Sequence, residues 1–600
     1  MFCSPIPQDA FLCGSKVTPV AIPGTSLEQP SPAAHNTDGI FEDLKAIQRE
    51  FGYLPAEKLQ AIADARAMHV REVHAVASFY PHFHLTAPAR VDIRVCTDMS
   101  CHLRGANILK RQIQDRLYGR PNTECSIRDV SCLGRCDGAP AVLISSKTEE
   151  QIYDNVTSDR VADAVLRNLS GEPLPHTRPE RLRQELHSDP YVGTPKYRVL
   201  YSLVQTGDFA GVIRQLKTSG LRGMGGAGFP CGNKWEAVRN CVDDEKYVVC
   251  NADESEPGTI KDRFIMQHLP HLLIEGMIIC GLVTGAKKGI LYIRHEYEHP
   301  KDACQDEIDA CYQDGLLGRN ILGSDLDFDL SIFVSPGGYI CGEETALIEA
   351  IEGKRSEPRN KPPFPVYQGL WHKPTALNNV ETFALATVIL ARGVEWFKNY
   401  GRKGSPGIKF VGISGEVRNP GVFEVPMGIT YDELINGYAG GPLPGKTIKA
   451  FAPSGPSSGY LPASMLNLPL DWDVMSKPPV SSMVGSGAVV VCSNEACMLD
   501  MALNAVKFYR NESCGKCVPC RVGSQKLVDM LTAWTQGKQN PSDLAALDEL
   551  NHALALTSIC GLGQIVPAPI QSVMRHFRDE VDAHVKQKRC PANVCRMGAF

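Results

Sequence analysis

The cysteines of this sequence are numerous and regularly spaced, as in proteins that bind iron or zinc. There are 22 of them in 600 residues. Cys96 and Cys101 follow a predicted strand, and Cys132 and Cys136 precede another. Four thiolates in two loops at strand ends suit a [2Fe–2S] cluster, which needs two soft ligands for each iron. The alternative is a structural zinc site, whose ligand pairs have similar spacing.

A second group of cysteines has the tighter spacing C-x2-C-x2-C. Cys514, Cys517 and Cys520 fit three ligands of a [4Fe–4S] cluster, because zinc sites rarely use three thiols so close together. The spacing leaves the fourth ligand open. Cys560, which follows a long stretch of helical periodicity, is the best-placed candidate.

A third group lies near the C-terminus. His584, Cys590 and Cys595, with Cys497 as a fourth ligand, suit a tetrahedral zinc site. The alternative is a frayed tail with free thiols. Four other cysteines lie on apolar faces and are predicted core residues: Cys250, Cys280, Cys304 and Cys311.

A glycine-rich segment, Gly223–Phe229, matches the pattern G-x-G-x-x-G. It is not a standard Rossmann turn, because the preceding residues Val212–Thr218 have helical spacing instead of forming a strand. Its bare backbone amides can still approach a phosphate or a flat ring. Phe229, Lys234 and Trp235 offer charge and stacking there, and a flexible turn is the alternative.

Acidic residues follow the predicted strand Tyr247–Cys250. The segment Asn251–Gly258 carries three carboxylates, which suit hydrogen bonds to ribityl or ribose hydroxyls, or a metal with oxygen ligands. A second segment, Gly337–Glu344, also joins glycines to acids. The alternative there is an ordinary loop whose glutamates cap the next helix.

The composition excludes several classes of protein. A net charge of −5 and a pI near 6.4 provide no sequence-wide field for nucleic acid or anionic lipid. The most apolar stretch, 269–286, is interrupted by Glu275 and is too short for a bilayer span. The first forty residues lack a secretory pattern, so the many thiols favour a cytoplasmic protein with metal or redox chemistry.

At several places the motifs resemble the flavin-carrying, NADH-oxidising subunit of respiratory complex I. The segments are Ser219–Phe229, Asn251–Gly258, Gly338–Thr345, Lys354–Arg359, Lys361–Phe364, Asn378–Thr382, Ser414–Gly421 and Glu512–Cys520. Residues 38–170, with the first two cysteine pairs, resemble the small thioredoxin-like [2Fe–2S] partner of that subunit. The two are fused here in one chain, and the order of the motifs agrees as well as their content.

The resemblance implies an α/β multidomain fold. Its predicted parts are a flexible N-terminal segment (1–37), a helical bundle (38–90), a thioredoxin-like [2Fe–2S] domain (91–170), a linker (171–195), an FMN/NAD-binding α/β domain (196–405), a β-grasp insert (406–491), a helical [4Fe–4S] domain (492–582) and a C-terminal Cys/His tail (583–600).

The resemblance also implies the site residues. FMN is expected to contact Gly223, Gly225, Gly226, Lys234, Asn251, Asp253, Glu254, Tyr339, Gly342, Glu343, Asn378 and Asn379. NAD(H) is expected to stack through Phe229 and Phe364 and to meet Glu256, Glu344 and Lys361. The implied [4Fe–4S] ligands are Cys514, Cys517, Cys520 and Cys560.

Two residues depart from the family pattern. Met224 stands where the family usually has an arginine close to the dinucleotide phosphates, and Ala237 stands where a stacking aromatic ring is often found. We expect both to affect dinucleotide affinity and adenine binding, and not the chemistry. Glu344, if it faces the adenosine ribose, favours NAD over NADP because a carboxylate repels a 2′-phosphate.

The implied function is that of an NADH:acceptor oxidoreductase (diaphorase) subunit, which moves electrons between NAD(H) and iron–sulfur clusters through FMN. Hydride transfer needs no side-chain acid or base, so no catalytic residue is assigned. The fused arrangement resembles subunits of NAD-dependent formate dehydrogenases or, alternatively, of NAD-reducing or electron-bifurcating hydrogenases. Other iron–sulfur and catalytic subunits are therefore the expected partners. Two other classes remain open: a non-catalytic iron–sulfur electron-transfer scaffold and a zinc-rich regulatory protein.

Overall fold

The computed structural model describes residues 39–177, 186–402, 404–539 and 542–597. The predicted N-terminal segment, 1–37, lies outside these residues, and so does part of the predicted linker, 178–185. No single helix among the described residues is long and apolar enough to cross a membrane, and two helices pass that test only as a pair bent by 93°.

The N-terminal part contains six helices and a small mixed sheet of four strands. Its elements are α1 (Ile40–Phe51), α2 (Ala56–Ala65), α3 (Val70–Phe79), β1 (Val91–Cys96), α4 (Met99–Leu103), α5 (Ala106–Arg116), β2 (Cys125–Val130), β3 (Ala141–Ser146), β4 (Glu150–Asp154) and α6 (Ser158–Leu169). The strand order is β2-β1-β3-β4, with β1 and β2 parallel and the other pairs antiparallel. Because β1 is the central buried strand, its end carries Cys96 into the domain interior.

The next part is a parallel sheet covered by helices. Its elements are α7 (Arg198–Thr206), α8 (Phe209–Ser219), α9 (Cys231–Asn240), β5 (Tyr247–Ala252), α10 (Lys261–His268), α11 (Pro270–Thr284), β6 (Lys288–Arg294), α12 (Glu298–Gln313), β7 (Asp329–Ser335), α13 (Glu344–Ile351), α14 (Pro365–Gln368), β8 (Thr375–Asn379), α15 (Val380–Arg392) and α16 (Val394–Tyr400). The strand order is β7-β6-β5-β8, and every pair is parallel. The carboxyl ends of these strands therefore meet at one edge, where α/β sheets bind ligands.

A third, mainly antiparallel sheet and a helical domain complete the described chain. The insert contains β9 (Ile408–Gly415), β10 (Gly421–Pro426), β11 (Ile448–Pro456), β12 (Leu461–Pro462), α17 (Trp472–Ser476) and β13 (Ala488–Ser493), in the order β10-β9-β13-β11-β12. The helices that follow are α18 (Met498–Glu512), α19 (Val518–Thr535), α20 (Asp543–Thr557), α21 (Gly561–Ile565), α22 (Ala568–His576) and α23 (Arg578–Val585). The predicted fold class is confirmed, and α8 is helical before the glycine-rich segment, as its spacing predicts.

Candidate functional site

The first two cysteine pairs come together at the end of β1. Cys96, Cys101, Cys132 and Cys136 are all buried, and the Sγ atoms of Cys132 and Cys136 lie 3.4 Å apart. Contact with the Cys101 thiol, together with the Cys132 thiol and burial, raises the pKa of Cys96. Four buried thiols that converge on one point are the donor set that a [2Fe–2S] cluster requires.

The C-x2-C-x2-C cysteines line one cavity with Cys560. That cavity is also lined by Ile340, Pro358 and Leu562, so the distant thiol and the local three face a common space. Cys560 reaches it because it is the residue immediately before α21. Burial raises the pKa of Cys560 to about 11, which a bound cation reverses by stabilising the thiolate. The set fits a [4Fe–4S] cluster.

The C-terminal group also converges. The ligand atoms of Cys497, His584, Cys590 and Cys595 all lie within 4.8 Å of one another. His584 Nε2 is 3.4 Å from Cys497 Sγ, and its Nδ1 is 2.7 Å from the carbonyl oxygen of Glu580. A hydrogen bond of this kind fixes the orientation of a metal-binding imidazole, so that Nε2 can act as the metal ligand. The geometry fits a tetrahedral zinc site.

The glycine-rich segment packs against the end of β8. A Cβ atom added to Gly225 would lie 3.0 Å from Asn379 Cβ, whereas one added to Gly226 would meet nothing within 4 Å. Gly226 has φ +134°, which residues with side chains rarely adopt. The segment therefore presents bare backbone to an open space, which is the cradle that a flat ring needs.

The acidic segment after β5 has two different environments. Asp253 Oδ2 is buried with no hydrogen-bond partner among the described residues, and burial raises the pKa of this carboxyl to about 7. Such an orphaned acceptor, in a residue whose backbone packs against Gly342, fits a hydroxyl donor of a bound ligand. Glu254 differs, because its carboxylate accepts hydrogen bonds from the backbone N–H groups of Asp262 and Arg263 and from the Tyr297 hydroxyl. Its carboxylate therefore caps the first turn of α10.

The polar residues at the end of β8 brace neighbouring loops. Asn378 accepts a hydrogen bond from Trp235 Nε1 at 3.0 Å, and Lys234 Nζ donates to the Leu377 carbonyl at 2.8 Å. The Asn379 side chain caps α15 and also contacts Lys261 and Asp262. Asn251 donates to the Gly342 carbonyl at 2.8 Å.

The segment around Gly342 forms the opposite rim. The Glu343 carboxylate caps α13 through the N–H groups of Thr345 and Ala346, as the alternative interpretation predicts, and Glu343 and Glu344 each lie 2.9 Å from Lys361 Nζ. Glu256 accepts a hydrogen bond from the Tyr339 hydroxyl at 3.2 Å.

The predicted NAD(H) stacking residues are exposed at this rim. Phe229 is 46% exposed and Phe364 is 45% exposed. Large aromatic rings left in water beside an ion-paired rim are available for stacking with a planar ligand.

Five functional candidates escape sequence reasoning, because each meets the site through residues far away in the chain. They are Arg263, Arg294, Lys409, Trp472 and Glu512. Lys409 Nζ lies 3.8 Å from Met224 Sδ, so a buried cation accompanies the residue that replaces the usual arginine. Glu512 accepts hydrogen bonds from Tyr339 N and from Ser131 Oγ, and it thereby joins loops of two cysteine groups.

Four family models match the chain. They are the Nuo51 FMN-binding domain (residues 216–387), the NADH-ubiquinone oxidoreductase-F iron-sulfur binding region (500–584), the thioredoxin-like [2Fe-2S] ferredoxin (28–170) and the SLBB domain (410–460).

Similar proteins come from both NADH dehydrogenases and hydrogenases. The NADP-reducing hydrogenase subunit HndC of Solidesulfovibrio fructosivorans is 44% identical over 68% of this chain and 82% of its own length. The mitochondrial NADH dehydrogenase (ubiquinone) flavoprotein 1 of Dictyostelium discoideum is 42% identical over 63% of this chain and 79% of its own. A chain of an NAD+-reducing [NiFe]-hydrogenase, crystallised in the air-oxidized state, matches with a TM-score of 0.80 at 29% identity and covers 94% of this chain and 95% of that one.

Proposed function

The chain belongs to the family of the FMN-binding subunits of NADH-quinone oxidoreductases, and from this premise we propose that it exchanges electrons between NAD(H) and partner subunits of a larger complex. It is an NADH dehydrogenase-type oxidoreductase subunit, with FMN, one [2Fe–2S] and one [4Fe–4S] cluster as cofactors and NAD(H) as substrate. One observation carries the proposal: loops of both cysteine sets contact the flavin crevice, through Gly258 to Cys136 and through Tyr339 to Glu512.

The residues of the crevice hold and orient the ligands. Bound FMN supplies hydride exchange with nicotinamide and one-electron exchange with the clusters. Gly225 and Gly226 would leave room for its ring, and the orphaned Asp253 oxygen would accept a hydrogen bond from one of its hydroxyl groups. Phe229 and Phe364 provide the stacking surface for the dinucleotide and exclude water when it is bound. These residues act by positioning, so no proton donor is assigned.

The experiment is reconstitution of the whole chain with FMN, iron and sulfide, followed by NADH reduction. We expect about six irons per chain, flavin absorbance and two distinct iron–sulfur EPR signals. Cys560→Ser should lose the [4Fe–4S] signal while the [2Fe–2S] signal and the flavin remain. A chain that takes up clusters but no flavin would support the electron-transfer scaffold instead, and zinc without iron would support the regulatory protein.

The second substrate of the complex belongs to partner subunits. A hydrogenase context is supported by the likeness to HndC and to the NAD+-reducing [NiFe]-hydrogenase chain, which this chain matches over nearly its whole length. A formate dehydrogenase context rests only on the fused domain arrangement. Metal analysis of the complex purified from its native source decides between them, because nickel or a hydrogen-activating iron centre indicates hydrogen, and molybdenum or tungsten indicates formate.

The C-terminal Cys/His group is proposed to bind structural zinc, supported by its four convergent ligand atoms. Cys590→Ser should release about one zinc per chain and lower the melting temperature, because α23 then loses its link to Cys497 at the start of α18. Iron and flavin contents should remain unchanged. A variant that keeps full zinc, or a wild-type chain that binds iron at this group, contradicts the assignment.

The cellular location is proposed to be the cytoplasm. The support is chemical: twenty cysteines among the described residues are free thiols, and twelve of them form the three metal-binding groups. Reducing conditions keep such thiols available for metals.

A further inference from the structure

The loop that carries Cys132 and Cys136 is docked on the flavin-binding part of the chain. Cys136 Sγ accepts a hydrogen bond from Gly258 N at 3.2 Å, and Arg263 donates to the Gly134 carbonyl and, at 2.7 Å, to Asp137. A Cβ atom added to Gly134 would lie 2.5 Å from the Tyr297 ring, so only a glycine permits this approach.

Arg294, the last residue of β6, forms hydrogen bonds to both the cysteine loop and the acidic segment of the flavin-binding part. Its side chain is 3% exposed. Nη2 donates to the Cys132 carbonyl at 2.8 Å, and Nη1 donates to the Glu254 carbonyl at 2.6 Å. Nε donates to Glu296 at 2.9 Å. One guanidinium therefore joins the backbone of a cluster ligand to the backbone of the acidic segment that lines the flavin crevice.

The charge of Arg294 lies in an environment of low dielectric constant. A [2Fe–2S] cluster gains one negative charge when it is reduced, and a fixed buried cation nearby stabilises the reduced form. Glu296, which accepts a hydrogen bond from Nε at 2.9 Å, neutralises part of this charge. Among the hydrogen bonds of the described residues, the two terminal nitrogens, Nη1 and Nη2, donate only to neutral carbonyl groups, so the charge is only partly compensated.

We propose that Arg294 is a positioning residue that fixes the Cys132 loop against the flavin crevice, and that its buried charge raises the reduction potential of the [2Fe–2S] cluster. This inference rests on the proposed function, because it presumes that the four thiols hold that cluster. Its consequence is that the flavin-binding part of the chain, and not the thioredoxin-like domain alone, determines how readily the cluster accepts an electron.

The test is an EPR-monitored redox titration of the reconstituted whole chain. Arg294→Met should lower the equilibrium constant for [2Fe–2S] reduction at least tenfold, which is 59 mV for one electron. Arg294→Lys keeps the charge and should change this equilibrium constant by less. The [4Fe–4S] potential should not change. Arg128→Met is the control, because it removes one positive charge from the thioredoxin-like domain itself, at a side chain that is 50% exposed.

Each other outcome is decisive. A fully loaded Arg294→Met cluster whose equilibrium constant changes less than tenfold overturns the proposal, as does an equal change in Arg294→Lys. If Arg294→Met loses the cluster, Arg294→Gln is compared with Arg294→Lys instead. Arg294→Gln is also neutral, and it retains a donor for the Cys132 carbonyl. Loss of only the [2Fe–2S] cluster from both neutral variants supports the positioning role, and loss of every cofactor overturns it. A wild-type chain with no [2Fe–2S] signal contradicts the proposed function itself, and the two failures are thus distinguishable.

Discussion

Glu344 lies at the rim of the crevice, where its carboxylate pairs with Lys361. We predict that Glu344→Gln raises the ratio of kcat/KM for NADPH to that for NADH by about tenfold, or about 1.4 kcal/mol, because the repulsion of a 2′-phosphate is removed while Lys361 remains. Steady-state kinetics with both dinucleotides measure this ratio. Glu357→Gln, which disturbs a nearby pair with Arg355, is the control, and an unchanged ratio in Glu344→Gln means that Glu344 does not face the ribose.

A second residue-scale prediction concerns Glu275, a fully buried carboxyl in α11. It accepts hydrogen bonds from the Tyr191 hydroxyl and from Leu200 N, and burial raises its pKa from 4.5 to about 7. The folded chain thus binds this proton more tightly than the unfolded chain, and this contribution to stability falls as the pH rises from 4.5 to about 7.

The expected magnitude is of order 3 kcal/mol over that pH range. Thermal unfolding of wild type and Glu275→Gln at about pH 5 and about pH 8 measures it. The wild type should lose more stability between the two pH values than the variant, whereas Glu298→Gln, at an exposed position, should behave as the wild type does. Equal pH dependence in wild type and Glu275→Gln contradicts the pKa assignment.

At the scale of elements, α17 of the insert reaches the glycine-rich segment. A Cβ atom added to Gly228 would lie 3.3 Å from the Trp472 ring, so this ring covers the segment directly. Trp472→Ala should weaken FMN binding about tenfold, because the segment loses the apolar cover that holds its conformation. The dissociation constant is measured from the rise in FMN fluorescence as the flavin is released on dilution. Val474→Ala, on the same helix and 39% exposed, should bind FMN as the wild type does; equal weakening in both variants assigns the effect to the helix as a whole.

Elements were predictable where their signals are local. The buried strand β5 and the helical spacing before Gly223 follow from periodicity within a few residues, and the C-x2-C-x2-C spacing brings three thiols together by itself. The roles of Trp472 and Arg294 were not predictable from such patterns. Arg294 meets Cys132 across 162 residues, and only the packing of two domains brings them into contact.

For the whole molecule, Arg263 is a buried ionic link between the cysteine loop and the flavin-binding part. Its side chain is 2% exposed and pairs with Asp137, which is 15% exposed. Arg263→Met should lower the free energy of unfolding by about 3–5 kcal/mol, because the Asp137 carboxylate stays buried and loses this partner. Hydrogen exchange should speed up in residues 131–138, and the melting temperature should fall.

The control for this link is Arg167→Met, which breaks an exposed pair with Asp163 and should change stability by less than about 1 kcal/mol. Faster exchange spread evenly through the molecule, with no excess in residues 131–138, would mean that Arg263 stabilises the fold without serving as the link.

The close docking of the cysteine loop also constrains biogenesis. All four thiols of the first group are at most 5% exposed once the two parts are in contact. Assembly factors that deliver iron and sulfide need to reach these thiols, so delivery must come before the parts close on each other. We therefore expect loading of this cluster to precede closure during maturation, and reconstitution of an empty folded chain to proceed through reopening of the contact between the two parts.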